Sequence, residues 1–102
     1  MLYLLNMQEL STVVNKSERT YRQIERNASC ALYAVYGRPL GVLYGYEVFR
    51  IKKRTAGTEF GRPVVPRECY PSNEDFGRSA WAFGRNFHRE AKIKFDKLLN
   101  VC

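Results

Sequence analysis

Four cations fall within five residues: Arg50, Lys52, Lys53 and Arg54. At that density they form a target for phosphate groups. Tyr44 and Tyr46 precede them closely, and tyrosine rings stack on bases in sheet-based single-strand binders. The chemistry this suggests is binding of a polyanion. The plainer alternative is a solvated strand end whose two tyrosines belong to the core.

A second pattern is Phe-Gly-Arg, at Phe60–Arg62, Phe76–Arg78 and Phe83–Arg85. Phe can anchor, Gly allows close backbone approach, and Arg reaches a phosphate or carboxylate. Arg78 and Arg85 are seven residues apart and would share a face if that stretch were helical. The first copy stands sixteen residues before the second, so this is no true repeat. Phe76 and Phe83 read more simply as core anchors.

Other chemistry has weaker support. Asn73, Glu74 and Asp75 could hold Mg²⁺ only if further oxygen ligands converged. A place in a helical first turn explains them more simply. His88 is the single histidine. It could act as a general base or pair with a thiol, but no spacing supports either. Cys30, Cys69 and Cys102 are far apart. Cys30 and Cys69 read as small buried hydrophobes and Cys102 as a terminal residue. The expectation is therefore no catalytic constellation, no metal and no cofactor.

The elements that must position these residues follow from local pattern. The chain has 102 residues, enough for one core. Glu9 to Val14 reads either as a short helix or as a strand. The β-branched run Ser11 to Val14, followed by the turn residues Asn15 to Glu18, favours strand, turn and then a second strand from Arg19 to Glu25. A helix-turn-helix would need a recognition helix next. The segment Asn27 to Tyr36 instead reads as a buried strand. Gly37-Arg-Pro-Leu-Gly41 supplies a turn, and Tyr44 to Lys53 completes a hairpin. Alternation places Tyr44, Tyr46, Val48, Arg50 and Lys52 on one face of that strand.

Residues 54–70 contain Gly57, Gly61, Pro63 and Pro66 and read as a loop-rich excursion, with short strands available at 58–60 or 64–65. Ser72 with Asp75 resembles a capping box, opening a short turn from Phe76 to Phe83. Asn86 to Val101 is the best helix, with Phe87, Ala91, Phe95 and Leu98 on one stripe. Arg89, Lys92 and Lys97 fall off it, and Glu90 with Lys94 forms an i,i+4 pair. Trp81 reads as a core anchor of this half. The expected fold is a single α+β domain over residues 1–102. A small antiparallel sheet of three or four strands, from residues 11–53, is covered on one face by a C-terminal helix. Residues 1–10 are expected to be flexible.

Net charge is +7. It is uneven, +2 over residues 1–50 and +5 over residues 51–102. Such a chain attracts nucleic acid or an acidic protein surface. The apolar N-terminal stretch is too short for a secretory signal or a membrane span. An odd cysteine number fits a reducing compartment. The expectation is a cytoplasmic, intracellular protein with no membrane role.

Ile24-Glu-Arg-Asn27, Gly45-Tyr-Glu-Val-Phe-Arg-Ile51, Tyr70-Pro-Ser-Asn-Glu-Asp-Phe-Gly77 and Ala80-Trp81 form a combination that resembles short uncharacterised proteins of phages, prophages and other mobile elements. It covers roughly three quarters of the chain. The resemblance implies a genomic setting in which small proteins often bind nucleic acid or block a host enzyme. The function expected is therefore a small, basic, non-enzymatic binding protein, engaging nucleic acid through Arg50, Lys52, Lys53, Arg54, Arg78 and Arg85 with Tyr44 and Tyr46. The alternative is an inhibitor that docks on a host protein such as a defence nuclease, in the manner of an anti-CRISPR protein.

Overall fold

Alternating side chains and short turns build most of the molecule. The computed structural model describes residues 8–54, 57–59, 62–64 and 66–101. Strands β1 (Val13–Lys16), β2 (Arg19–Arg26), β3 (Cys30–Gly37) and β4 (Val42–Arg50) follow one another as antiparallel neighbours. The turn expected over Asn15 to Glu18 is confined to Ser17 and Glu18, because Asn15 and Lys16 still pair in β1, and Ser17 takes a positive φ of 56°. The Gly37–Gly41 turn is also there. Gly41 N–H donates to Gly37 O at 2.7 Å, and Gly41 takes a φ of +72°, which a residue without Cβ adopts freely. The Arg38–Pro39 peptide bond within it is cis.

After β4 the chain leaves the sheet. β5 (Lys52–Arg54) pairs with β8 (Arg67–Cys69), and β6 (Gly57–Glu59) pairs with β7 (Arg62–Val64). The excursion thus contains two short ladders, and one of them overlaps both stretches allowed for a strand, at 58–59 and at Val64. Residue 65 lies outside the described residues. A three-residue 3-10 turn (Asn73–Asp75) follows, then β9 (Ala80–Gly84) and the helix α1 (His88–Val101).

β9 pairs with β4, which makes the sheet five-stranded, in the order β1-β2-β3-β4-β9. Three or four strands were expected because Phe76 to Phe83 reads as a helical turn. In Ala80-Trp-Ala-Phe-Gly84, large residues alternate with small ones, so Trp81 and Phe83 point to one face while Ala80 and Ala82 lie on the other. The capping box is present, with Ser72 N–H donating to Asp75 Oδ2 at 2.8 Å, but it opens a single 3-10 turn and no longer helix.

β3 is the centre of the sheet. Cys30 to Val35 are all buried, and successive side chains feed opposite faces. Cys30 and Leu32 join Val48, Ala91, Phe95 and Leu98 on the helix face. Ala31, Tyr33 and Val35 join Leu10, Tyr21, Phe49 and Ala80 on the opposite face, against Ile51, Tyr70 and Phe76 of the excursion. Both faces are therefore covered, one by α1 and one by the excursion. The stripe Ala91, Phe95, Leu98 is the buried side of α1 as expected, whereas Phe87 precedes the helix and is exposed. Lys92 bonds to Glu25 and Asp96, and Lys94 lies 4.0 Å from the centre of the half-buried Trp81 ring.

The start of the described chain is held in place. Gln8 N–H donates to Pro66 O, Glu68 N–H donates to Gln8 O, and Leu10 N–H donates to Glu68 Oε1. Leu10 is buried. The flexible segment expected over residues 1–10 therefore does not extend over Gln8 to Leu10, and residues 1–7 lie outside the described ones. No helix among the described residues is long and apolar enough to cross a membrane.

Candidate functional site

The structure sorts the sequence-predicted binding residues to two ends of the sheet. Arg50 closes β4 and its N–H donates to Ser79 O, which brings the turn carrying Arg78 beside it. Arg50 and Lys53 line a shallow groove of about 420 Å³ with Ser29 and Ile51. Lys53 is exposed. Lys52 points to Asp75, with Nζ–Oδ2 at 3.3 Å. Arg54 lies opposite Arg67 in the β5–β8 ladder. Arg85 sits in the turn after β9. Arg78 and Arg85 therefore flank a strand rather than share a helix face. Six residues separate them, five of which form the extended β9, roughly 17 Å long.

Tyr44 lies at the same end as Arg85, six residues and about 20 Å along β4 from Arg50. It does not share a face with Tyr46. The β3–β4 register shifts between Val35 and Tyr36, where the pairs are Val35↔Gly45 and Tyr36↔Leu43. The extra residue on β4 is Tyr44, and such a bulge re-aims a side chain. Tyr44 covers Gly37, whose added Cβ would stand 3.1 Å from the ring, and Arg19 Cζ lies 5.1 Å from the ring centre. Tyr46 remains on the helix face, half-buried, with its ring 4.8 Å from that of His88. Of the two tyrosines, Tyr44 is the exposed one, at 54%.

Arg19, Tyr44, Gly45, Glu47 and Ala82 line a groove of about 310 Å³ on the excursion face. Gly45 and Ala82 keep its floor low. A Cβ on Gly45 would fall 2.1 Å from Phe83 O, so the close approach of β9 requires glycine there. Glu47 Oε1 accepts a 2.6 Å hydrogen bond from Tyr70 Oη. Burial pushes the Glu47 carboxyl above its ordinary value. The Tyr70 hydrogen bond and the charges of Arg19 and Lys16 pull the other way. Tyr70 is raised by its own burial and then by the adjacent Glu47.

Lys16, Arg19 and Glu47 are absent from the sequence-based set. Strand pairing assembles them: Lys16 faces Arg19 across β1–β2, and Arg19 faces Gly37 across β2–β3. Nothing local in the sequence marks Arg19 as a neighbour of Tyr44. The bulge that turns Tyr44 toward it leaves no local signal either. Three cations among the described residues are held by carboxylates: Arg26 by Glu68, Lys52 by Asp75, and Lys92 by Glu25 and Asp96. Asp75 is lowered first by the Ser72 N–H and also by Lys52. Glu74 and Asp75 thus belong to a turn and its surface pair. No family model, curated protein or solved structure matches the chain.

Proposed function

We propose that this protein is a small, basic, non-enzymatic binding protein that engages nucleic acid, with a preference for single strands. The observation that supports this reading is the exposed Tyr44 ring carrying the Arg19 guanidinium in an open groove, with Lys16 paired to Arg19 on the neighbouring strand. Flat rings beside cations bind a strand by stacking its bases and neutralising its phosphates. The Arg50–Lys53 groove, about 20 Å away along the same strand, offers a second phosphate contact. The likeness to phage and mobile-element proteins fits an intracellular setting of this kind.

Binding of labelled single- and double-stranded DNA and RNA at about 50 and 200 mM salt tests the reading. Neutralising three phosphates would weaken binding about fortyfold over that range. A Lys52/Lys53/Arg54 triple neutral variant should bind more weakly and show a shallower salt slope. Absence of binding at low salt would refute the proposal.

A second reading has its own support. Leu40 is 86% exposed at the β3–β4 tip, beside Arg38 and the half-exposed Val42. An apolar tip with a cation beside it suits an acidic host-protein surface, as an inhibitor of a defence nuclease would need. Binding that depends on Leu40 and survives moderate salt would favour that reading.

A further inference from the structure

The groove beside Tyr44 has a polar floor that phosphate binding does not use. Glu47 Oε1 is taken by Tyr70, but an ionised carboxylate offers about four acceptor positions. Oε2 makes no hydrogen bond among the described residues. It is also not sealed, because the one buried side-chain polar atom there without a partner is Asn27 Nδ2. A carboxylate open to a groove wants N–H donors from whatever enters.

The walls narrow the class of donor. Arg19, with Lys16 opposite it, disfavours a cationic ligand such as an amine or a guanidinium. Both favour a neutral group tied to an anion. On the far side of Arg19 a second hollow of about 580 Å³ is lined by Lys16, Ser17, Glu18, Tyr21 and Asn73. Arg19 thus stands between a hollow with a carboxylate floor and one with Lys16 on its rim, an arrangement that matches a base and its phosphate.

Among the four bases, guanine alone places two N–H donors, N1–H and N2–H, side by side on its pairing edge. Adenine and cytosine set one amino group beside a ring acceptor, and uracil or thymine sets one N–H between two carbonyls. Against a carboxylate, those acceptors repel. Resting on the nucleic-acid reading above, we propose that this groove is a guanine-selective subsite, with Glu47 accepting from the base edge, Tyr44 and Arg19 forming the wall it lies against, and Arg19 with Lys16 holding the adjoining phosphate.

The test uses the full chain and labelled thymidine octamers carrying one central guanine, hypoxanthine, adenine or cytosine, read by fluorescence polarisation. The guanine octamer should bind about tenfold or more tightly than the adenine one, as a good paired hydrogen-bond contact provides. Hypoxanthine, which lacks the 2-amino group, should fall between. Glu47→Gln should bring guanine and adenine together by weakening the guanine octamer, while plain thymidine octamer, relieved of the carboxylate's repulsion, binds no more weakly than it does to the natural chain. Ala82→Leu, which fills the groove from the exposed edge strand directly opposite Glu47, should also bring guanine and adenine together. Equal binding of all four octamers by the natural chain would overturn the guanine subsite and leave the broader reading standing. So would a guanine preference that survives both variants. No binding of any octamer at low salt would overturn both.

Discussion

Beneath α1, the groups packed on the sheet are Cys30, Leu32, Val48, Ala91, Phe95 and Leu98. Beneath the excursion, the apolar groups share their space with Tyr33, Tyr70, Glu47, Arg26 and Glu68. The difference follows from what covers each face. A helix satisfies its own backbone within itself and can offer a purely apolar stripe. An irregular cover must find partners for its N–H and C=O groups elsewhere. Glu68 accordingly accepts from Leu10 N–H while pairing with Arg26, and Tyr33 Oη donates to Ser11 O. On the helix face the fully buried groups are apolar, and charged groups such as Lys92 and Glu25 meet only at its rim. The excursion face carries polar groups by necessity, and where the cover stops it leaves a groove floored by a carboxylate.

This contrast can be broken first at its apolar side. Phe95 is 2% exposed, and Phe95→Ala should cost about 3–5 kcal/mol in urea unfolding. A loss under about 1 kcal/mol would mean that the helix is not a structural cover. On the other face, Glu68→Ala removes the partner of Arg26 and the acceptor of Leu10 N–H. It should cost about 2 kcal/mol and raise hydrogen exchange at Leu10 ahead of the sheet. Uniform exchange across both regions would argue against a separately held excursion.

The two carboxyls of the excursion face sharpen the comparison through pH. Arg26 holds Glu68 below its ordinary value of 4.5, with Leu10 N–H helping. The unfolded chain then binds that proton more tightly. The stability Glu68 contributes is complete above 4.5 and disappears as pH falls through the lowered value. Glu47 has the opposite sign. Burial raises its carboxyl, so the folded chain binds the proton more tightly, and stability is lost as pH rises from 4.5 through the raised value. In denaturant titrations across the acid range, Glu68→Gln should flatten the acid-side loss and Glu47→Gln should remove the decline on the other side. Identical profiles in the two variants would contradict the contrast. The smallest effect belongs to Lys52→Ala. Its ion pair with Asp75 is at the surface, and the change should cost less than about 0.5 kcal/mol at moderate salt.

Much of the framework was legible in local pattern. The β1–β2 turn, the buried β3 strand, the Gly37–Gly41 hairpin and the Ala91–Phe95–Leu98 stripe all depend on neighbours close in sequence. β9 was not legible. Ala80 to Gly84 is too short to declare its period beside two glycines, and its partner β4 lies some thirty-five residues back. Lys92 was expected to face water, but the β2 irregularity between Gln23 and Glu25 sets Glu25 opposite Leu32 on the helix face, where Lys92 meets it.

The sequence by itself determined the charge excess, the cations after β4 and the amphipathic terminal helix, because composition and short-range periodicity need no partner. Only the tertiary structure decided which aromatic stands beside which cation. A one-residue bulge in β4 turned Tyr44 away from Tyr46 and over Gly37, and antiparallel pairing carried Arg19 from twenty-five residues upstream to its ring. Register across strands has period two, so a single extra residue moves a side chain from one face to the other. No local count of residues can announce that exchange.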